Sequence, residues 1–325
     1  MSELYPLKFQ PIFKDKIWGG NKIATILKQN YAPLYNCGEV WLVSGIADEP
    51  SVVTNGFLAE NSLQDLLEIY MGDLVGDGVY EKFGDEFPLL FKFINAEDYL
   101  SVQVHPNDEL AMERHDCLGK TEMWYIIHAD EGAELISGFK PNTEKPDYLK
   151  HLKANSLKDI LNYETVKHDD VFYVPAGLVH AVGPGILLAE IQQSSDITYR
   201  MYDWDRFDMS GMQRELHTDL ALDAIQFEEP SHKSHPASVK NREVLLHESE
   251  YFNVRLIDAD KRLEMDYIAV DSFVVYLCTE GSFDLVYPHG TEQVSIGEAI
   301  LIPAEIKEVA IVPTPTCKIL ETYIK

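Results

Sequence analysis

The sequence predicts a mainly β protein made of two related β modules, with a few helices inserted in the first half. Two observations carry this. Most segments are short, rich in Val, Ile, Phe and Tyr, and bounded by Gly, Pro, Asn or Asp, the pattern of strands packed as sandwiches or barrels. The chain also repeats itself: Asp170-Val-Phe-Tyr-Val-Pro-Ala matches Glu298-Ala-Ile-Leu-Ile-Pro-Ala, an acid, four apolar residues and Pro-Ala. Each copy is preceded by a Glu-Gly pair, at Glu131 and at Glu280, read as a turn into a strand. The first copy is the longer, and its excess is predicted to hold a helix over 156–163.

Taken in order, strands are predicted over 40–44, 89–94, 100–105, 123–128, 133–138, 171–174 and 187–192 in the first module, and over 273–278, 282–286 and 299–302 in the second. Among the helices, Ser62 is a good N-cap for a segment that puts Leu63, Leu66, Leu67 and Tyr70 on one face. Residues 108–115 and 217–227 read as helices too. The polar, proline-containing stretch 228–236 is the expected linker, giving modules at 1–228 and 236–325.

Composition narrows the function. A chain of 325 residues with 46% hydrophobic and 25% charged residues is that of a soluble globular protein. Lys and Arg total 27 against 54 Asp and Glu, a formal charge of −27 that repels nucleic acid and anionic membranes alike. Any anionic small substrate must therefore meet a local group of Lys and Arg. Cys37, Cys117, Cys278 and Cys317 have no paired spacing, so neither a disulfide framework nor a cysteine zinc site is expected. No apolar run has the length of a signal peptide core or a membrane span, and the cytoplasm is the expected location.

Three short motifs carry the chemistry. In Leu100-Ser-Val-Gln-Val-His-Pro-Asn-Asp, a strand period sends Leu100, Val102 and Val104 to one face and Ser101, Gln103 and His105 to the other. In Val174-Pro-Ala-Gly-Leu-Val-His180, the proline and glycine set a sharp reversal that can aim His180 back into a barrel. Glu122, at the start of a strand, supplies a carboxylate. Two histidines and a glutamate suit zinc with an open position, and equally a non-haem iron triad, with Gln103 a candidate fourth donor. The second module ends in Pro303-Ala-Glu-Ile-Lys-Glu, without the glycine or the histidine, so one metal per chain is expected.

The histidine placement resembles the cupins, whose jelly-roll barrels hold a metal, and two cupin-like barrels are the fold this implies. Taken together, Ser101-Val-Gln-Val-His-Pro, Gly119-Lys-Thr-Glu-Met-Trp, Pro175-Ala-Gly-Leu-Val-His180, and Glu190 followed by Ser195-Asp196 and Arg200 resemble the ordered motifs of the type I phosphomannose isomerases, in their short bacterial form. The resemblance covers most of residues 1–227. It implies zinc on Gln103, His105, Glu122 and His180, Arg200 as the active-site arginine, and Ser101 and Lys120 reaching a sugar-phosphate substrate. The longer enzymes carry a lysine six positions past the arginine. Here the residue is Arg206, either a phosphate partner or an ion-pair partner of Asp203 or Asp205. The implied reaction interconverts mannose 6-phosphate and fructose 6-phosphate through an enediolate. It needs a general base, for which Glu190, Lys120 and zinc-bound water or hydroxide are candidates. An iron-dependent cupin oxygenase and a non-catalytic sugar-phosphate-binding bicupin are the competing readings.

Overall fold

In this computed structural model the described residues are 4–207, 211–228 and 231–325. The first module holds strands β1 (Ile12–Lys14), β2 (Glu39–Ser44), β3 (Leu89–Ala96), β4 (Val102–Val104), β5 (Glu122–Ala129), β6 (Glu134–Phe139), β7 (Leu161–Thr165), β8 (Val171–Val174), β9 (His180–Ala181), β10 (Ile186–Gln193) and β11 (Tyr199–Tyr202). Its helices are α1 (Lys22–Thr25), α2 (Leu63–Val75), α3 (Asp77–Phe83), α4 (Asp108–His115), α5 (Lys145–Lys153) and α6 (Thr218–Ala224). After β12 (His232–Ser234), the second module follows as β13 (Glu243–Glu248), β14 (Asn253–Ala259), β15 (Leu263–Asp266), β16 (Val274–Tyr287), β17 (Gly290–Ser295), β18 (Ala299–Ile302) and β19 (Glu308–Tyr323). The fold is mainly antiparallel β and cupin-like.

Two sheets enclose the first module's interior. One runs β1-β2-β3-β10-β5-β8-β12 and the other β11-β4-β9-β6-β7. The strands β3 and β10 are buried along their whole length, because both faces of the larger sheet are covered. Ile94, Trp124, Ile126 and Leu188 pack inward in one cluster. Phe91, Phe93, Tyr125 and Ala189 point outward into a second, shared with Leu66 and Leu67 of α2 and with Val254, Leu256, Val275 and Leu320 of the second module. A sheet packed on both sides needs near-continuous apolar strands, and Leu-Leu-Phe-Lys-Phe-Ile is one with a single charge in it. The outer face of the smaller sheet is covered differently: Val102, Val104 and Tyr199 pack with Tyr148 of α5 and Ala221 of α6.

Most predicted elements lie where the sequence places them, and Ser62 does cap α2, accepting from the Asp65 amide at 3.1 Å while Asp65 answers the Ser62 amide. The differences have physical causes. Residues 156–163 do not form a helix but a single 3-10 turn, Leu157–Ile160, followed by β7, which pairs with β6. The helix of that insertion is α5, whose start is fixed by reciprocal hydrogen bonding between Glu144 and Asp147 and by Pro146 in its first turn. The helix predicted over 217–227 is shortened to α6. Glu280-Gly281 is not a turn. It is a bulge within one long strand, β16, which absorbs both predicted strands; Gly281 sits at φ +68° where a Cβ would lie 2.0 Å from the Thr316 carbonyl oxygen. Within the expected linker, His232–Ser234 adds a strand to β8 at the edge of the larger sheet. All four cysteines are free, and among the described residues no helix is long and apolar enough to cross a membrane.

Candidate active site

The site is built by two rows of residues on facing sheets. On the smaller sheet, Gln103 of β4 stands opposite His180 of β9 on one side and Arg200 of β11 on the other. On the larger sheet, Glu190 of β10 stands opposite Trp124 of β5 and Lys92 of β3. Cross-strand neighbours lie about 4.5 to 5.5 Å apart, so His180, Gln103 and Arg200 form a polar strip on the smaller sheet and Lys92 and Glu190 a charged pair beside Trp124 on the larger. Between them lies a cavity of about 140 Å³, lined also by Ser101, Lys120, Lys16, Glu39, Thr198 and Arg214. Leu100, expected beside Val102 and Val104, lines this cavity, because β4 starts only at Val102.

Beside the cavity, which His180 lines, the donor atoms of His105, Glu122 and His180 lie within 4.8 Å of one another, all three side chains buried. His105 Nδ1 donates to the Ile197 carbonyl at 2.8 Å and His180 Nδ1 to the Leu178 carbonyl at 2.9 Å. With Nδ1 carrying the proton, both Nε2 lone pairs face the centre. The glycine turn performs this aiming: Gly177, at φ +91°, donates its amide to the His105 carbonyl at 2.9 Å, tying the two histidine segments together. Burial, reinforced by the Lys120 charge, pushes His105 down to about 3, and burial likewise lowers His180, so both rings are neutral and able to ligate. Burial alone would raise Glu122. The Lys120 ammonium overcomes it, holding the carboxyl well below its ordinary value.

These residues fit a metal ion. Glu122 Oε2 is buried with no hydrogen-bond partner, 3.8 Å from His180 Nε2, which is the situation of a ligand atom rather than of a structural carboxylate. Gln103 places its amide nitrogen 3.2 Å from His180 Nε2 and 3.4 Å from His105 Nε2, with Oε1 turned to the Ser101 hydroxyl at 3.3 Å. Rotating the amide by half a turn brings Oε1 to the same centre, and the two orientations have nearly the same shape. A second group of metal-ligating types, His168, Asp169 and Glu280, lies at the junction of the modules, partly exposed, with the Lys318 ammonium 3.0 Å from Asp169 and 2.6 Å from Glu280.

Among the candidate catalytic residues, Glu190 is buried, accepting from Trp124 Nε1 at 2.7 Å and pairing with Lys92 at 2.7 Å. Burial, with the nearby Glu122 charge, raises its carboxyl despite Lys92. Lys120 pairs with Glu122 and lies 3.2 Å from His105 Nε2. Arg200 donates to the Glu215 carbonyl at 2.9 Å, and its Nε is buried without a partner. Arg206 does not line the cavity; it is held by Asp203 at 2.6 Å, the Tyr99 carbonyl at 2.6 Å and Asp98 at 3.3 Å. Four charged residues join the site that sequence reasoning passed over: Lys16, Glu39, Lys92 and Arg214. Lys92 had a signal, a lysine inside an apolar strand. It flanks Glu39, whose carboxyl is brought to about 2 when Lys92 and Lys16 overcome the cost of burial.

Comparison with known proteins matches residues 6–136 to the catalytic domain of type I phosphomannose isomerase. The mannose-6-phosphate isomerase of Streptococcus mutans is 36% identical over 311 residues, covering 93% of each chain. The chain belongs to the type I phosphomannose isomerase family. A second relative, the mannose-6-phosphate isomerase of Bacillus subtilis, is 43% identical over 223 residues, 68% of each chain. The fold agrees with that membership: a crystal structure of a mannose 6-phosphate isomerase from Bacillus subtilis superposes with a TM-score of 0.85 at 33% identity, covering 98% of this chain and 99% of that one. In this phosphomannose isomerase family member, the cavity and the three buried donors are thus the candidate active centre.

Proposed function

We propose that the chain interconverts mannose 6-phosphate and fructose 6-phosphate with zinc held by His105, Glu122 and His180 and by the turned-in carbonyl oxygen of Gln103. The carrying observation is the buried Glu122 Oε2 without a hydrogen-bond partner beside two neutral histidines, next to a cavity lined by Lys16, Lys92, Lys120, Arg200 and Arg214 as well as Glu39 and Glu190. Moving a carbonyl between C1 and C2 removes a proton alpha to it and passes through an enediolate. When bound, zinc supplies Lewis-acid stabilisation of that negative charge, worth several kcal/mol.

The chain's own residues do the rest. Glu190 lines the cavity, is fixed in orientation by the Trp124 indole and Lys92, and has a carboxyl raised by burial and the Glu122 charge; we assign it the transfer of the proton between the two carbons. Lys120 and Ser101, both buried in the wall, position the sugar oxygens, and Arg200 adds fixed positive charge for the developing enediolate or the phosphate. The cytoplasm fits such a substrate. The test is a coupled assay of mannose 6-phosphate turnover on protein with measured zinc content. Turnover lost on chelation and restored by zinc is expected; full zinc occupancy without turnover overturns the reading.

A further inference from the structure

The cations of the cavity are not equally satisfied. Lys16 pairs with Glu39 at 3.2 Å, Lys92 with Glu190, and Lys120 with Glu122. Arg200 has no carboxylate within ion-pair distance among the described residues, and its buried Nε has no partner. Arg214, which also lines the cavity, shares the single carboxylate of Asp203 with Arg206, donating from Nε at 2.7 Å and pairing through Nη2. Among the described residues, surplus positive charge is therefore gathered at the arginine end, on a chain with a formal charge of −27. Two guanidinium groups brought together in a partly buried wall repel one another, and each presents planar N–H donors suited to a tetrahedral dianion.

We propose that Arg214, together with Arg200, binds the phosphate of the substrate, and that Arg206 does not. Asp203 is then a positioning residue, holding the Arg214 fork in place while Arg206, tied to Asp98 and Tyr99, neutralises Asp203 from outside the cavity. The inference rests on the sugar-phosphate reading above, and binding of inorganic phosphate separates the two. In a ³¹P NMR titration of the zinc-loaded full chain with inorganic phosphate, R214A is expected to weaken binding about 10- to 100-fold, the loss of a bidentate charged contact, and R206A to change it less than about twofold. In steady-state assays, R214A raises KM for mannose 6-phosphate far more than it lowers kcat, and R214K recovers only part of the loss. R214Q, which keeps a hydrogen bond toward Asp203, replaces R214A if the latter does not fold. Wild-type affinity for phosphate in R214A and R214Q, a loss in R206A instead, or no phosphate binding by the wild type each overturns the proposal. Arg214-dependent phosphate binding without turnover of mannose 6-phosphate overturns the isomerase reading alone.

Discussion

At the scale of the residue, the centre depends on charges that are buried only because each has a counterpart. Lys92 and Glu190 are both nearly inaccessible and 2.7 Å apart. Removing one member of such a pair leaves the other as an uncompensated buried charge, so K92M is expected to destabilise the fold by about 3–5 kcal/mol, read as a lower midpoint in urea denaturation. Its effect on activity has a sign. Glu190 is raised by burial and by Glu122, with Lys92 the chief opposing influence. Without Lys92 the carboxyl rises further, and the acid limb of kcat/KM moves to higher pH. An unmoved limb removes Glu190 from the role of base. Glu122 gives the complementary prediction. In E122Q the charge that balances Lys120 and faces both histidines is gone, and zinc content after dialysis is expected to fall at least about tenfold, since even partners outside the ligand set cost 10- to 100-fold.

At the scale of the element, the histidines could be read from sequence because the devices that aim them are local. His105 follows from strand alternation, and His180 from the Pro-Ala-Gly reversal. Gly177 shows how tight that reversal is: its φ is +91°, and a Cβ there would lie 2.7 Å from Gln226 Cγ and 3.0 Å from the Ala224 carbonyl oxygen. G177A is expected to cost about 1–3 kcal/mol through backbone strain and to weaken metal binding, because the same glycine amide holds the His105 carbonyl. Unchanged zinc affinity in a folded G177A variant would show that the turn does not set the ligand geometry. The cationic wall was less legible. Lys16 lies in the loop after β1 and Glu39 and Lys92 on β2 and β3, and only the pairing order β2-β3-β10-β5 brings them beside Glu190. Arg214 lies outside any strand or helix, where periodicity says nothing. The insertion before β8 was misread for a related reason: Ser156 looks like an N-cap, but Leu157, Ile160 and Leu161 are all buried, and β7 bonds to β6 instead of closing a helical turn.

At the scale of the whole molecule, the internal repeat is written in the sequence, but the contacts between the two halves of the chain are not. Their junction is an apolar cluster shared by β3, β10, β14 and β16, with a charged knot at its margin. His168 and Asp169, in the turn before β8, meet Glu280 and Lys318 of the second module; Tyr125 hydrogen-bonds Asp169 and the Ile127 carbonyl accepts from His168. The pH dependence of this knot follows from its shifts. The His168 hydrogen bond, and Lys318 after it, bring Glu280 to about 2 against the cost of burial, so its stabilisation is present above its ordinary value of 4.5 and is lost as pH falls toward 2. His168 is raised, chiefly by Glu280, so its share is full below its ordinary 6.5 and is lost as pH rises through the raised value. The knot is therefore strongest between these limits. Glu280 is 46% exposed, and solvent screening holds its contribution to about 1 kcal/mol or less. Glu321 acts in the opposite sense: burial raises its carboxyl to about 7, and it weakens the fold as pH climbs from its ordinary 4.5 to that value. Replacing Glu280 by glutamine removes one slope and leaves the other. Thermal midpoints of E280Q are expected to lie below wild type near neutrality, and the two curves to converge on the acid side of 4.5 as the wild-type knot protonates. Parallel curves over that range would mean that Glu280 holds no pH-dependent link between the modules.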